Sequence, residues 1–333
     1  EIAHVVTVGP KNRAARFTAV FAELGLRRAG STAIDVDRLI DQVERGGARS
    51  QRTVSQLSQA ICGVLAAVVA LADPSLVVIG GNGSLTGART LMGAVRIAGL
   101  PASIDNDLAA TSMSIGTDTA MNTIVEACDR IFDTASAHRR TFIVEVMGRD
   151  MGYLAMTAGI AAGADAVLVR ETGKDEDAYI DQVVRTMVHA YKGDRAKRRV
   201  LVIKAEGVKI DTALLKQRVD ERVKALLGDV VVDTRVTVLG HVVRGGAPSA
   251  FDRLLGARLA NTAIRELFAD KTDFMAGWIG PGVEGAPSQH DPYVVTTPLE
   301  KVLRDTQKLH EGDSPLAAWR KRIYAQVESI LER

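Results

Sequence analysis

Apolar residues along this 333-residue chain alternate between two spacings from about residue 52 onward. Recurrence every three or four positions predicts helices around residues 54–68, 121–132, 180–187, 251–268, 299–311 and 315–332. Short apolar runs predict buried parallel strands at 76–79, 142–147, 167–169, 200–203, 236–239 and 274–279. The stretch 280–297 carries three prolines and is predicted to be a loop. Helices alternating with buried strands indicate a doubly wound α/β fold, in which ligands bind at the carboxyl ends of strands.

Length and composition indicate the number of lobes and exclude some classes of partner. A chain of 333 residues exceeds what one core usually serves, so two lobes are expected. The 42 Lys and Arg against 40 Asp and Glu predict no nucleic-acid partner. The longest apolar run, Ala60 to Ala72, falls short of the roughly 20 residues that cross a bilayer, which predicts no membrane partner. Two cysteines exclude a disulfide framework and suit a cytoplasmic location.

A glycine-rich segment, Gly80-Gly81-Asn82-Gly83-Ser84 with Gly87 following, comes directly after the first apolar run. Glycines there let backbone N–H groups approach a phosphate, and a following helix N-terminus favours its charge. A simple tight turn at Asn82-Gly83 remains an equal alternative. No Gly-Lys-Ser/Thr follows and the third glycine is one place late, so the segment is neither a Walker loop nor a dinucleotide fingerprint.

Two carboxylates lie close together in the segment 101–107, which reads PASIDND. Like charges this close raise one pKa, as a general base requires, so Asp105 and Asp107 are candidates for acid–base chemistry. A solvated acidic turn is the alternative.

A third candidate segment, 235–246, reads RVTVLGHVVRGG and brings His241 and Arg244 to the end of a strand. Guanidinium groups match phosphate oxygens in a fork geometry, so arginine beside an acidic pocket indicates an anionic substrate. A histidine packed in the core is the alternative for His241.

Six strings occur in order and together resemble the phosphofructokinase family: IDND, GTDTAMNTIVEACDRIFDTASAH, RTFIVEVMGR, AEG, RVTVLGHVVRGG and AFDR. The resemblance covers residues 83–333 and implies two Rossmann-like lobes. One lobe would combine about 83–116 with 248–297, and the other 117–247 with 298–333. It also implies ATP-dependent phosphorylation of fructose 6-phosphate to fructose 1,6-bisphosphate in glycolysis, with Mg²⁺, by a homotetramer or dimer.

The resemblance assigns catalytic roles to three residues. Asp105 would be the general base that takes the proton from the sugar 1-hydroxyl. Asp107 would orient that hydroxyl or approach the magnesium. Ser103 would bridge the substrate and the transferring phosphoryl group.

The same resemblance assigns the binding residues. Those expected to hold fructose 6-phosphate are Arg140, Met147, Gly148, Arg149, Glu206, Arg235, His241 and Arg244. Of these, Arg140 and Arg235 would reach the sugar phosphate from a neighbouring subunit. Those expected to line the nucleotide phosphates are Gly81, Gly83, Ser84 and Gly87, with Asn82 near the metal. Pyrophosphate users of the family tend to carry Asp at the position of Gly83 and Lys at that of Ala102, so ATP is the predicted donor.

Residues 1–82 depart from the family pattern. The glycine-rich turn GGDxxGxN and the TxRxPEF-like loop are absent, and Asn82 replaces an aspartate that usually serves magnesium. The segment resembles instead the C-terminal part of the ROK family of sugar kinases and repressors, through EIAH at residues 1–4 and the helix and strand of 58–81, as in a chimera. Two alternatives follow: an impaired subunit that only binds sugar phosphate, and a ROK-type sugar-binding protein.

Overall fold

The computed structural model describes residues 75–138, 140–192, 199–228, 232–280 and 283–331. The predicted helix at 54–68 and the ROK-like features of 1–74 lie outside these residues. Within the described part, helices and strands alternate as the apolar pattern predicts, and the strands form two separate sheets.

The first sheet has five strands in the order β1-β2-β7-β9-β8. Their bounds are β1 Ser75–Gly80, β2 Arg96–Pro101, β7 Phe274–Trp278, β8 Pro287–Ser288 and β9 Asp291–Pro298. The first three are parallel, whereas β9 runs antiparallel to β7 and β8 antiparallel to β9. The prediction of a loop over 280–297 is therefore wrong. Pro287 lies in β8, the edge strand of the sheet, where a missing N–H donor costs little.

The second sheet is parallel throughout and has four strands in the order β4-β5-β3-β6. Their bounds are β3 Arg140–Val146, β4 Ala166–Leu168, β5 Val200–Ala205 and β6 Asp233–Val238. Strand β5 is buried along its whole length, as expected for a parallel strand covered on both faces.

Helices cover both sheets. Their bounds are α1 Asn82–Arg89, α2 Thr117–His138, α3 Tyr153–Ala161, α4 Glu176–Lys192, α5 Thr212–Leu227, α6 Ala250–Phe268, α7 Leu299–Glu311 and α8 Pro315–Leu331. Short 3₁₀ helices follow β4 at Arg170–Thr172 and β6 at Gly240–Arg244. No helix among these residues is long and apolar enough to cross a bilayer.

The two C-terminal helices belong to different layers. Leu299 and Val302 of α7 pack with Leu85 and Ile97 against the first sheet. Tyr324 of α8 joins the core of the second sheet. The chain thus passes to the second sheet after α7, rather than at residue 298 as predicted, because the apolar face of α7 is complementary to α1.

Candidate active site

The carboxyl ends of β1 and β2 bring the glycine segment to the carboxylate segment. A Cβ atom added to Gly81 would lie 3.5 Å from Cβ of Ser103. Helix α1 begins at Asn82, immediately after Gly81, which provides no side-chain cap. The first turn of α1 therefore presents backbone N–H groups of 82–84 without an intrahelical acceptor. A Cβ on Gly83 or Gly87 would meet no described atom within 4 Å, which leaves room beside the helix.

The turn that carries the two carboxylates is fixed by Asn106. This buried residue adopts the left-handed backbone conformation, with φ of 49°. Its Nδ2 donates to the carbonyl of Ser112 at 2.9 Å, and its Oδ1 accepts from the N–H of Ser114 at 2.9 Å. Asparagine tolerates this conformation better than most residues, so the central residue of the motif has a structural role.

Asp105 has the electrostatics of a general base. Burial, reinforced by the negative charge of Asp107, raises the pKa of Asp105 from 3.8 to about 6, although Arg244 opposes the shift. Its Oδ1 is buried and has no hydrogen-bond partner among the described residues. A carboxylate with this pKa is ionised at neutral pH and still accepts a proton readily.

The pKa of Asp107 is shifted in the opposite direction. Burial alone would raise the pKa of Asp107, but hydrogen bonds from His310 and Ser103 outweigh burial and lower it. Ser103 Oγ donates to Asp107 Oδ1 at 2.6 Å. The two carboxylates of the motif thus differ in pKa, because burial dominates at Asp105 whereas Asp107 has strong hydrogen-bond partners.

A cavity of about 430 Å³ opens beside Asp105 at the carboxyl ends of the second sheet. Six of the predicted site residues line it: Asp105, Met147, Arg149, Glu206, His241 and Arg244. Gly148 lies within the same turn at φ of 131°, where an added Cβ would come within 2.5 Å of the Met151 carbonyl oxygen. Glycine is therefore required there. His241 and Arg244 are exposed on the 3₁₀ helix after β6, so His241 is not a packed core residue.

Sequence analysis missed a buried ion pair behind this cavity. Lys204, only 2% exposed, lies 3.1 Å from Oε2 of Glu145, and Thr212 donates to the same oxygen. Glu145 also lines the cavity. The charged residues in the otherwise apolar runs 142–147 and 200–205 were the available signal, because an unpaired charge is costly in a buried strand.

Two predicted residues lie away from this cavity. Arg140 and Arg235 sit near the amino ends of β3 and β6, whereas the cavity lies at their carboxyl ends. Nε of each arginine lies 2.8 Å from the carboxylate of Asp233. The fold therefore brings Asp105 together with the pocket residues and leaves these two arginines toward the opposite end of the sheet.

Comparison with known proteins gives one family. The family model for Phosphofructokinase matches residues 24–267. An ATP-dependent 6-phosphofructokinase of Natranaerobius thermophilus is 48% identical over 204 residues, which cover 61% of this chain and 59% of that protein. The ATP-dependent 6-phosphofructokinases of Macrococcus caseolyticus and Brevibacillus brevis are each 40% identical to this chain. The alignments cover 73% and 76% of this chain, respectively, and 76% of each relative.

Solved structures of phosphofructokinases have a fold similar to that of this chain. A Saccharomyces cerevisiae phosphofructokinase superposes with a TM-score of 0.62 at 30% identity, covering 78% of this chain and 37% of the yeast chain. A pyrophosphate-dependent phosphofructokinase from Marinobacter aquaeolei gives a TM-score of 0.54 at 19% identity, covering 87% and 79%. This second likeness concerns the fold alone.

The family match corrects the N-terminal boundary. It begins at residue 24, so the predicted start at residue 83 is too late, and a ROK-like origin of the N-terminal segment is not supported. The doubly wound fold, the order of the motifs and the match over residues 24–267 agree, and this chain belongs to the phosphofructokinase family.

Proposed function

We propose that this chain transfers the γ-phosphoryl group of ATP to the 1-hydroxyl of fructose 6-phosphate. The observation that carries this proposal is Asp105, a carboxylate with a pKa raised to about 6, in the wall of a cavity that also contains His241 and Arg244. A general base beside cationic groups suits an acceptor that carries both a hydroxyl and a phosphate. Curated relatives at 40–48% identity carry the name ATP-dependent 6-phosphofructokinase.

The cavity beside Asp105 is the proposed sugar-phosphate site. Arg149, His241 and Arg244 would neutralise the 6-phosphate, while Glu206 would accept hydrogen bonds from sugar hydroxyls. Met147 and Gly148 would shape the floor, since both follow directly on β3. The volume of this cavity, about 430 Å³, lies in the range of small-molecule sites.

In the proposed reaction, Asp105 accepts the proton of the 1-hydroxyl as that oxygen bonds to the γ-phosphorus. The bond between the γ-phosphorus and the bridging oxygen breaks, and ADP leaves with the electron pair. Asp105 later releases the proton to solvent. Asp107 remains ionised and, with Ser103, orients the acceptor hydroxyl in line with the leaving group.

The proposed nucleotide side is the first turn of α1, where Gly81, Gly83, Ser84 and Gly87 leave space for the phosphates. N–H groups at this helix end favour negative charge. Mg²⁺ fits the oxygen donors at this helix end, because the amide of Asn82 lies in the first turn of α1 and the ionised carboxylate of Asp107 is bonded to Ser103, which lies beside Gly81. This cation is usually held by one or two carboxylates together with substrate phosphates. When bound, it would neutralise charge on the transferring group.

The position of Arg140 and Arg235 supports a homo-oligomer, either a tetramer or a dimer. Both lie toward the amino ends of their strands, away from the cavity of their own chain, so they would act in the cavity of a neighbouring subunit. We further infer that each sheet with its helices is one lobe, and that the enzyme serves glycolysis in the cytoplasm.

An impaired subunit that binds sugar phosphate without transferring phosphate is the second candidate. It is favoured by Asn82, which brings no charge to the metal, and by the absence of the family's glycine-rich turn from the sequence. A ROK-type sugar-binding protein is not favoured, because the family match already begins at residue 24.

One assay separates these functions. The purified chain is incubated with fructose 6-phosphate, Mg²⁺ and either ATP or pyrophosphate, and fructose 1,6-bisphosphate is measured. Turnover with ATP that exceeds turnover with pyrophosphate is expected. Calorimetric binding of fructose 6-phosphate without turnover would identify the binding subunit instead.

A further inference from the structure

A second cavity, of about 270 Å³, lies between α3 and α8 on the second sheet. Its volume is just below the roughly 300 Å³ at which sites for drug-sized ligands begin, which suits a small metabolite. Tyr153 and Arg320 line it on one side, and Glu171 and Thr172 on another. None of the residues that line the proposed sugar-phosphate site is among them.

The cavity contains a buried, unpaired cation. Arg320 is 5% exposed, and none of its three guanidinium nitrogens has a hydrogen-bond partner among the described residues. The guanidinium lies over the ring of Tyr153, with Cζ 4.6 Å from the ring centroid. Burying a guanidinium without an anionic partner is costly, and proteins rarely retain such a group unless it is paired.

Among the other charges of the wall, Lys174 and Glu328 form an ion pair, Lys321 is exposed, and one oxygen of Glu171 has no partner among the described residues. Nζ of Lys174 lies 2.6 Å from Glu328, which also accepts from Gln182 at 3.0 Å. Oε1 of Glu171 accepts from the N–H of Gly152 at 2.6 Å, whereas its Oε2 is buried without a partner. The cavity therefore presents five N–H donors from Arg320 and one free acceptor from Glu171.

We propose that this cavity binds a small molecule that carries an oxyanion together with a hydroxyl or ammonium group. Its carboxylate or phosphate pairs with the guanidinium of Arg320, and its donor reaches Oε2 of Glu171. A planar guanidinium recognises two oxygens of one oxyanion at once, which gives such a ligand orientation as well as charge neutralisation.

A short series of hydrogen bonds connects this cavity to the proposed sugar-phosphate site. Glu171 is bonded to Gly152, four residues after the tight turn at Gly148. The adjacent Arg170 donates to the carbonyl of Arg149 at 3.2 Å and to Asp150 at 3.2 Å. A ligand that engages Glu171 therefore shifts the turn that carries Arg149, and its effect is on the affinity for fructose 6-phosphate. This coupling rests on the proposed function, whereas binding itself does not.

Calorimetry on the full chain tests the site without any turnover. The probes are D-glycerate and sn-glycerol 3-phosphate, which carry an oxyanion and hydroxyls, with acetate and glycerol as partial analogues. We expect binding of at least one complete probe, at least tenfold tighter than either partial analogue. The two complete probes also distinguish a carboxylate ligand from a phosphate ligand.

Three variants assign that binding to the cavity. Arg320→Gln should abolish binding of the probe, and Glu171→Gln should weaken its affinity toward that of acetate. Arg322→Gln removes a charge from an exposed position on the same helix and should leave the affinity unchanged. A thermal melt of Arg320→Gln confirms folding, which should not suffer because an unpaired buried charge is removed. Absence of binding by both complete probes, or binding that survives in folded Arg320→Gln, overturns the proposal. Binding by a chain that shows no kinase activity would uphold it.

Discussion

Nε2 of His310 lies 3.0 Å from the carbonyl oxygen of Asp107 and 3.5 Å from its Oδ2. The two residues are 203 positions apart, and the contact ties the last turn of α7 to the carboxylate turn. The contact with the carboxylate of Asp107 raises the pKa of His310 despite burial, and the same contact lowers the pKa of Asp107. Helix α7 therefore keeps Asp107 ionised beside a neighbour, Asp105, whose pKa is raised.

His310→Leu should destabilise the protein more at pH 6 than at pH 9. Because the pKa of His310 is raised above 6.5 by folding, its ion pair contributes fully below pH 6.5 and is lost as the pH rises through the folded pKa. Because the His310 side chain is 26% exposed, solvent screening limits the gain to about 1 kcal/mol, which corresponds to roughly 2–4 °C in Tm at pH 6. Thermal melts at both pH values measure it.

His290→Leu is the matched control, because His290 is exposed on a turn. The difference in Tm between His290→Leu and the wild type should be the same at pH 6 and pH 9. If His310→Leu lowers Tm by the same amount at pH 6 and pH 9, the histidine contributes packing only.

The second prediction concerns the acid limb of the pH profile. Turnover at saturating substrate should fall as the pH drops through about 6, because protonated Asp105 cannot accept the hydroxyl proton. The phosphate of the substrate titrates near the same pH, so the limb alone is ambiguous. Asp150→Asn removes a like charge that raises the pKa of Asp105, and the limb should therefore move to lower pH. A limb that stays in place would assign it to the substrate.

Asn82→Asp should lower the Mg²⁺ concentration that gives half-maximal rate, since a carboxylate adds charge where an amide has none. The same change should raise Tm slightly, because an acidic residue in the first turn of a helix stabilises it by about 0.3–1 kcal/mol. A titration of rate against Mg²⁺ measures the first effect. A rise in Tm with an unchanged Mg²⁺ requirement would place residue 82 away from the metal.

Arg235→Ala should raise the KM for fructose 6-phosphate and leave the KM for ATP unchanged. Losing a hydrogen bond to a charged group costs about 1.5–3 kcal/mol, or roughly 10–150-fold. Arg185→Ala, at an exposed position on α4, is the control and should change neither constant.

Mixing Arg235→Ala with Arg244→Ala chains tests whether Arg235 acts in a neighbouring cavity. In a mixed oligomer one cavity can receive Arg244 from its own chain and Arg235 from the other, so activity should partly recover. Recovery would not occur if both arginines served the cavity of a single chain.

The sequence predicted the parts of the fold that depend on local pattern. Strand β5 was recognised because its residues are buried on both faces, which produces an apolar run. Strand β9 was missed because its buried and exposed positions do not alternate regularly and it contains prolines, so its register depends on pairing with β7. Helices α3 and α5 were not predicted from the apolar pattern, and α1 was expected only as the helix N-terminus that follows the glycine segment.

The same distinction holds for the candidate site. Asp105 and Asp107 were identifiable from the motif that contains them, and Arg149 from the string around it. His310 was not, because its proximity to Asp107 arises from the packing of α7 on α1. Lys204 and Glu145 lie on different strands, and only sheet register brings them together.

The most direct test of the proposed chemistry is the turnover of Asp105→Asn at pH 8 with saturating ATP, Mg²⁺ and fructose 6-phosphate. Loss of a general base should lower kcat by about 10²–10⁴-fold, with calorimetric affinity for the sugar phosphate nearly intact. Asp150→Asn, which alters a neighbouring carboxylate of the same cavity, should lower kcat by less than about tenfold, since it leaves the base in place. If Asp105→Asn retains more than about half of the wild-type kcat, Asp105 is not the base.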